Sequence, residues 1–351
     1  GNGFPQKNQR IVFWNKNPSG YINKNNSPII NPAIWPEFAG KSVSFSSIEY
    51  DSTLTKWIMI VNECDTSKVQ IYAAMSSDLI HWEPANNGNP ILKVSDFKSC
   101  KWTSSISSTP FVSDIVHFNN KWFLFLDGKS TDGKRHIGIA TSEKSLLGPY
   151  KIMEEPIISP NKNTDWNEEG CFYAKVEKYK NGFILFYDGL NKEDLERVGM
   201  ATSTDLMTWN DSPNNPVIEQ HTGWRSSIKT SEPSSIEIKG DTILLMIAGA
   251  KEFKMGAWHH YVTDRMYMDK SGNVNDTQLG IYISTDGGNT FIANKNNPVF
   301  TNDYSNFYEN EHLGGNLKLI KTDSLDYLFY QGKSSFNGLK YNVMLRMSDK
   351  G

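Results

Sequence analysis

Two glutamates in this chain each follow closely after a tryptophan, and each precedes a predicted strand. Glu232 follows Trp224, and Glu169 follows Trp166. A carboxyl group can exchange a proton with a glycosidic oxygen, and a flat indole ring covers the apolar face of a sugar. These residue types together favour a carbohydrate site, with Glu232 as the first candidate for a general acid and Glu169 as the second.

A third carboxylate, Asp114, lies within a predicted strand and is the third catalytic candidate. The candidates for substrate contact are aromatic, charged or imidazole side chains beside strand ends or in one long loop. They are Trp35, Trp102, Trp166, Trp224, Arg225, Asp127, Asp188, Trp258, His259, His260, Glu311 and His312. Asp127 and Asp188 each precede a glycine, so they could instead be turn residues. His259 and His260 lack the i, i+4 spacing of a helical zinc site, which favours sugar or solvent contact.

The elements that must position these side chains repeat along the chain. Ser-x-Asp-x-x-x-Trp, after a short apolar strand and before a Pro-apolar segment, recurs with variations. Its serines are Ser76, Ser142, Ser203 and Ser284. A period of about 60–80 residues that carries several strands indicates a blade-by-blade array, because one repeat cannot bury its own apolar faces. We expect the serine and aspartate of each repeat to close a turn.

The fifth repeat is divided between the two ends of the chain. Its first part is residues 343–349, and its aromatic and Pro-apolar parts are found in residues 19–30. We therefore predict an all-β, five-bladed β-propeller in which the N-terminal strand closes the last blade and removes open sheet edges. We expect a single domain over residues 1–351. An insertion in the fourth blade, residues 249–278, is expected to cover the central funnel.

Composition excludes several kinds of partner. The formal net charge of −3 and the lack of a long basic run argue against nucleic acid and anionic membranes. No apolar stretch is long enough to span a bilayer. The three cysteines match no metal motif and are expected to be buried thiols, compatible with a secreted, surface or cytoplasmic protein. Because the chain begins Gly-Asn-Gly-Phe, we expect it to be cut from a longer protein or processed.

The predicted blades, their closure and the acidic funnel resemble the five-bladed propeller glycosidases. These are the family-43 arabinanases and xylosidases and the related family-32 and family-68 fructan enzymes. The segment around Glu232 resembles the family-43 general-acid segment, and the segment around Asp114 resembles the one whose aspartate tunes the pKa of the acid. Glu169 is placed like the third-blade acid of the fructan enzymes. Glu311 and His312 resemble a segment whose histidine faces a metal–water cluster in some arabinanases. The resemblance thus implies no required cofactor but allows a metal ion in the funnel.

The first blade departs from that pattern, because residues 41–47 contain no aspartate where the general base should be. Either Asp114, Asp127, Asp188 or Glu63 replaces it, or the site is not a family-43 hydrolase site, or there is no catalysis. We expect an enzyme that cleaves or transfers a glycosidic bond in an oligo- or polysaccharide. A non-catalytic carbohydrate-binding propeller is the alternative. A phosphorolytic glycosidase is a further one, if Arg225, Arg265 and the nearby histidines gather to hold phosphate.

Overall fold

The computed structural model describes the chain in segments. They are residues 21–23, 27–38, 42–64, 70–105, 109–219, 221–226, 230–254, 273–303, 306, 308–309, 312–334 and 340–349. None of the helices in these segments has the length and apolar character needed to cross a membrane. The helices are short 3-10 turns at Pro32–Ile34, Asn86–Gly88, Val94–Phe97 and Gly223–Arg225.

Twenty strands within these segments form four sheets, which confirms the predicted all-β class. The first sheet contains β2 (Ser42–Asp51), β3 (Lys56–Cys64), β4 (Ile71–Ser76) and β5 (Glu83–Pro84). The second contains β6 (Phe111–Phe118), β7 (Lys121–Lys129), β8 (Arg135–Ser142), β9 (Lys151–Ile152), β10 (Gly170–Tyr179), β11 (Gly182–Leu190), β12 (Glu196–Ser203) and β13 (Asn210–Asp211). The third contains β14 (Ser231–Lys239), β15 (Thr242–Lys254), β16 (Asn273–Ser284) and β17 (Ile292–Ala293). The fourth contains β18 (His312–Lys321), β19 (Leu325–Ser334), β20 (Lys340–Asp349) and β1 (Tyr21–Asn23).

The second sheet consists of two four-strand units. Strands β6–β9 and β10–β13 are each antiparallel, and a single parallel pair, Arg135 with Gly170, joins them. The described strands thus form five units of four. We number them along the chain, from the unit that begins with β2 to the unit that begins with β18.

The two ends of the chain meet in the fifth unit. Strand β1 pairs with β20, with Tyr21 opposite Ser348 and Asn23 opposite Arg346. The amide of Ile29 also donates to the carbonyl oxygen of Val343 at 2.8 Å.

The core lies between the units. Phe123 and Phe125 of β7 pack towards the third unit, while Leu124 and Leu126 pack towards the first. The side chains of a strand alternate between its two faces, so each second strand contributes to two clusters. Five such clusters join the units in sequence, and one of them joins the fifth unit to the first.

The repeated Ser-x-Asp segments close turns, as predicted. The Ser76 hydroxyl oxygen accepts the amide of Leu79 at 2.9 Å, and the Asp78 carboxylate accepts the amides of Ile80 and His81. The Trp82 indole then donates to the Leu79 carbonyl oxygen at 3.1 Å. The same bonds recur around Ser203 and Trp209.

The first strand of every unit is interrupted by a β-bulge. The bulge residues include Ser46 in β2, Ser113 in β6 and Ser234 in β14. A bulge adds an unpaired residue and locally redirects the strand. It therefore divides each first strand into a short upper part, before the bulge in the sequence, and a longer lower part after it.

Candidate functional site

Two cavities are lined by the first strands, one on each side of the bulges. The upper one, here called the funnel cavity, has a volume of about 610 Å³. Its polar lining includes Ser44, Asn62, Asp127, Arg135, Tyr173, Lys175, Glu196, Glu232, Asn316, Gln331 and Lys333. The lower one, here called the rear cavity, has a volume of about 710 Å³ and is lined by Glu49, Asp114, His117, Glu177 and Lys318, among others. Only Lys175 is common to the two sets of lining residues.

Glu232 lies at the start of β14, two residues before the bulge at Ser234, and lines the funnel cavity. It is half-buried. Burial raises the pKa of Glu232 to about 7, and the negative charge of Asp127 adds to the effect. The cations Arg135, Lys333 and Lys175 act in the opposite direction. Glu232 therefore keeps its proton up to about neutral pH, as a proton donor must.

Asp127 and Arg135 form an ion pair in the funnel cavity. Asp127 lies two residues before the end of the second strand of its unit, and Arg135 begins the third. The guanidinium carbon lies 3.7 Å from the centre of the Phe172 ring and 4.7 Å from that of Tyr173. This cation–π contact and the ion pair hold the guanidinium group in one place.

Glu196 is a second carboxyl group in the funnel cavity, and it was missed by the sequence analysis. Its Oε2 accepts the amide of Ser231, beside Glu232, at 3.2 Å. The fully buried Asp188 lies against it. Neither oxygen of the ionised Asp188 carboxylate has a hydrogen-bond partner among the described residues. Burial and the negative charge of Glu196 raise the pKa of Asp188, and burial likewise raises the pKa of Glu196. Two carboxyl groups so close retain a proton between them.

The third strands offer a signal that would have located Glu196 and Arg135. Each third strand runs parallel to the first strand of its unit, so both begin at the funnel side. Arg135, Glu196, Thr277 and Tyr341 all lie at or near the start of a third strand, and all line the funnel cavity. Most predicted site residues belong to the starts of first strands or the ends of second strands, and none to the start of a third strand.

The structure separates the other two candidate catalytic carboxylates from Glu232. Asp114 lines the rear cavity, where its carboxylate accepts the amides of Ile115 at 2.9 Å and Val176 at 2.8 Å. This corrects the expectation that Asp114 acts beside the acid, because it lies beyond the bulge. Glu169 forms an ion pair with Lys134 at 3.3 Å and does not belong to the funnel lining.

Burial contradicts the predicted sugar-stacking role of three tryptophans. Trp35, Trp102 and Trp166 are 1%, 0% and 4% exposed. The indole groups of Trp35 and Trp102 donate to the carbonyl oxygens of Ala73 and Met153, each at 2.9 Å. Rings with no accessible face cannot stack on a ligand, so these three are core residues.

Glycines of the third strands explain that burial. A β-carbon at Gly138 would overlap Trp102, one at Gly199 would overlap Trp166, and one at Gly280 would overlap the half-buried Trp224. The tryptophan that precedes each candidate glutamate therefore belongs to a packing motif of the repeat. It does not identify a sugar platform.

Arg225 and Asp188 also lie outside the accessible site. Arg225 is 1% exposed and donates to the Tyr282 and Ser231 hydroxyl oxygens, each at 2.9 Å. This corrects its predicted role in substrate contact. Asp188 is 0% exposed and does not belong to the funnel lining. Asp127 alone of the predicted aspartates belongs to the funnel lining.

The remaining predicted residues cannot be placed. Trp258, His259, His260 and Glu311 lie outside the described residues, as does the His312 side chain, although His312 begins β18. The described flanks of the insertion, residues 249–254 and 273–278, extend β15 and β16 as a paired hairpin, with Thr277 in the funnel lining. Among the segments that the structure describes, no three His, Cys, Asp or Glu side chains form a metal-binding group.

The chain shares its fold with solved glycosidases. It superposes on a thermostable family-43 glycoside hydrolase with a TM-score of 0.64 and 14% identity, over 89% of this chain and 94% of that one. A glycosyl hydrolase from Bacteroides ovatus gives a TM-score of 0.61 and 14% identity, over 93% of each chain. A structure of the GH130 family, described as mannoside phosphorylases that include glycoside hydrolases targeting β-1,2 mannosidic linkages in Candida mannan, gives 0.63 and 16%, again over 93% of each chain. No protein-family model matches the sequence, and no curated protein sequence matches it. At this level of identity the likenesses establish a shared fold and no more.

Proposed function

We propose that the protein is a glycoside hydrolase-like enzyme that cleaves or transfers a glycosidic bond in an oligo- or polysaccharide. The observation that carries the proposal is Glu232, a carboxyl group whose pKa is raised to about 7 and which lines the same cavity as a second carboxyl group, Glu196. Glycoside hydrolysis needs one carboxyl group that is protonated near neutral pH and another that assists the nucleophile. Two of the solved neighbours described above are named as glycoside hydrolases, and the third belongs to a family of mannoside phosphorylases that contains glycoside hydrolases; these names support this class of reaction.

The residues of the funnel cavity take distinct parts in this proposal. Glu232 donates a proton to the leaving oxygen. Glu196, whose pKa burial raises to about 8, assists the attacking group when it is ionised, and Asp188 beneath it controls how readily Glu196 accepts a proton. Asp127, fixed by Arg135, accepts hydrogen bonds from sugar hydroxyl groups. No cofactor is required for these steps.

We also infer that the five units are the blades of one closed, single-domain propeller. Strand β1 completes the fifth unit, and an apolar cluster joins Phe329 and Leu345 of that unit to Met59 and Val61 of the first. A closed ring leaves no unit with an uncovered apolar face.

A non-catalytic carbohydrate-binding propeller is the second candidate, and one observation favours it. Ser44 lies two residues before the bulge of β2, the position that Glu232 occupies in β14. The funnel cavity therefore has a hydroxyl group where the resemblance led us to expect a basic aspartate. The phosphorolytic alternative loses one of its predicted phosphate ligands, because Arg225 is buried away from the cavity.

Turnover of a panel of plant and microbial oligosaccharides, and of aryl glycosides, tests the proposal. Glu232→Gln should lower kcat by about 10²–10⁴-fold on natural substrates, because a general acid contributes roughly that much. An aryl glycoside with a good leaving group needs no proton and should restore the rate of this variant. Glu169→Gln, outside the cavity lining, is the matched control and should retain wild-type kcat.

The outcomes separate the two candidates. Turnover that Glu232→Gln leaves unchanged would show that the acid has been misassigned. Saturable binding without turnover across the whole panel would instead establish the binding propeller.

A further inference from the structure

Lys175 occupies the boundary between the funnel cavity and the rear cavity. It comes from β10 and is 5% exposed. Its amine donates to the carbonyl oxygen of Ser113 at 2.6 Å and to that of Ser46 at 3.3 Å. Both acceptors are bulge residues, so the bulges of the first and second units hold a lysine of the third.

A buried ammonium group is costly unless its environment compensates for the lost hydration. Both acceptors of Lys175 among the described residues are main-chain oxygens, which bear only partial negative charge. Burial lowers the pKa of Lys175, while Asp114 on the rear side and Glu232 on the funnel side favour its charged form. The amine therefore lies between one carboxylate that is fixed by amide hydrogen bonds and another that faces the funnel cavity.

We propose that Lys175 is a positioning residue for Glu232: its ammonium group, fixed by the Ser46 and Ser113 carbonyl oxygens, supplies a positive charge at the floor of the cavity that Glu232 lines. This inference rests on the proposed function of Glu232, but the charge itself can be tested without any substrate. The Lys175 side chain then provides at the floor of the funnel cavity a positive charge like that of a bound cation.

Several charged groups other than Lys175 also surround Glu232, so the contribution of Lys175 must be isolated. They are Asp127 of β7, Arg135 of β8, Asp188 of β11, Glu196 of β12 and Lys333 of β19, with the Tyr173 phenol of β10. Around Lys175 itself are Asp114 of β6, Lys318 of β18 and Glu232 of β14. Lys318 pairs with Glu49 in the rear cavity, which makes Lys318→Met a matched control for loss of a nearby positive charge.

The first experiment is a titration of the Glu232 carboxyl carbon by NMR, assigned by comparison with Glu232→Gln. In Lys175→Met the midpoint should rise by about 0.3–1 pH unit, because removing a positive charge disfavours the ionised carboxylate. Lys175→Gln should give the same direction while keeping a donor for the carbonyl oxygens. Lys175→Arg and Lys318→Met should leave the midpoint near that of the wild type.

The kinetic effect expected of Lys175→Met is a relative gain of activity at high pH. If Glu232 must be protonated to act, the ratio of kcat/KM at pH 8 to that at pH 6 should rise about 2–5-fold in Lys175→Met, as the titration shift requires. A purely structural role would lower both rates and leave the ratio unchanged.

One measurement on the wild-type protein covers the case in which the variants fail to fold. The ¹⁵Nζ resonance of Lys175 should shift with the midpoint found for Glu232. An unchanged Glu232 midpoint in folded Lys175 variants, or a Lys175 resonance insensitive to Glu232 ionisation, overturns the proposal. A shifted midpoint in a protein that turns over no glycan would retain the role of Lys175 and reject the proposed enzyme.

Discussion

The main chain of Gly315 lies directly against the carboxyl group of Glu232. A β-carbon built at position 315 would overlap Glu232 Oε2 and come within 3.2 Å of the carboxyl carbon. Gly315 belongs to the bulged part of β18, where residues 314–316 have no partner on β19. Because position 315 has no side chain, the fifth unit leaves room for the Glu232 carboxyl group of the fourth unit.

Gly315→Ala should displace the Glu232 carboxyl group without removing it. The methyl group cannot coexist with the present rotamer, so the side chain must rotate into the funnel cavity. We expect kcat to fall by about 10–100-fold, since misplacing a reacting group by 1 Å can cost about that much. Steady-state kinetics on the substrate found for the wild type would measure it.

A double variant provides the control. When Glu232 is already Gln, adding Gly315→Ala should change kcat little further, because the two substitutions affect one group. Fully additive losses would mean that Gly315 serves the site in some way unrelated to Glu232.

The raised pKa of Glu232 also predicts how the stability of this protein depends on pH. The ordinary pKa of a glutamate is 4.5, and in the folded protein it is about 7. Between these values the folded state binds more protons than the unfolded state, so the contribution of Glu232 to stability falls as pH rises from 4.5 to 7. Glu232→Gln removes this loss, because glutamine resembles the protonated form.

We therefore expect Glu232→Gln to raise the free energy of unfolding by about 1–3 kcal/mol at pH 8 and to leave it nearly unchanged at pH 4.5. Chemical denaturation at the two pH values measures the difference. Glu193→Gln, on an exposed turn, should have the same small effect at both. Equal effects of Glu232→Gln at pH 4.5 and 8 would show that Glu232 ionises normally in the folded protein.

The fold could be predicted because its signals are local. Asn119 and Asn120, which join the strand Phe111–Phe118 to the next one, have φ values of 49° and 57°, the left-handed region that asparagine tolerates. Alternating apolar residues and turn residues at fixed offsets act over a few residues. Sequence reading can therefore recover them.

The site was only partly predictable, because the bulges decide whether a first-strand residue lies at the funnel cavity or at the rear cavity. Asp114 follows the bulge at Ser113 and lies three residues after Phe111, so at about 3.4 Å per residue it is displaced by about 10 Å from the funnel end. Glu232 precedes its bulge and stays in the funnel cavity. A bulge is hard to recognise without the partner strand, so the two carboxylates looked equivalent in sequence.

The closing strand gives a prediction about stability. Deleting residues 1–30 would remove β1, expose the edge of β20 and remove Ile30, which is 4% exposed and packs in the cluster that contains Val343 and Leu345. An open edge and an uncovered apolar surface should together lower the free energy of unfolding by several kcal/mol.

A single substitution tests the same contact without shortening the chain. Ile30→Ala should cost about 2–4 kcal/mol, the range for truncating a buried aliphatic side chain. Ile292→Ala removes the same atoms from a side chain that is 74% exposed and should change stability by less than about 0.5 kcal/mol. Denaturant melts of the deletion and of both substitutions measure these effects. If the deleted chain and Ile30→Ala both unfold like the wild type, residues 1–30 do not close the ring, and the fifth unit must be stable with β20 as its edge.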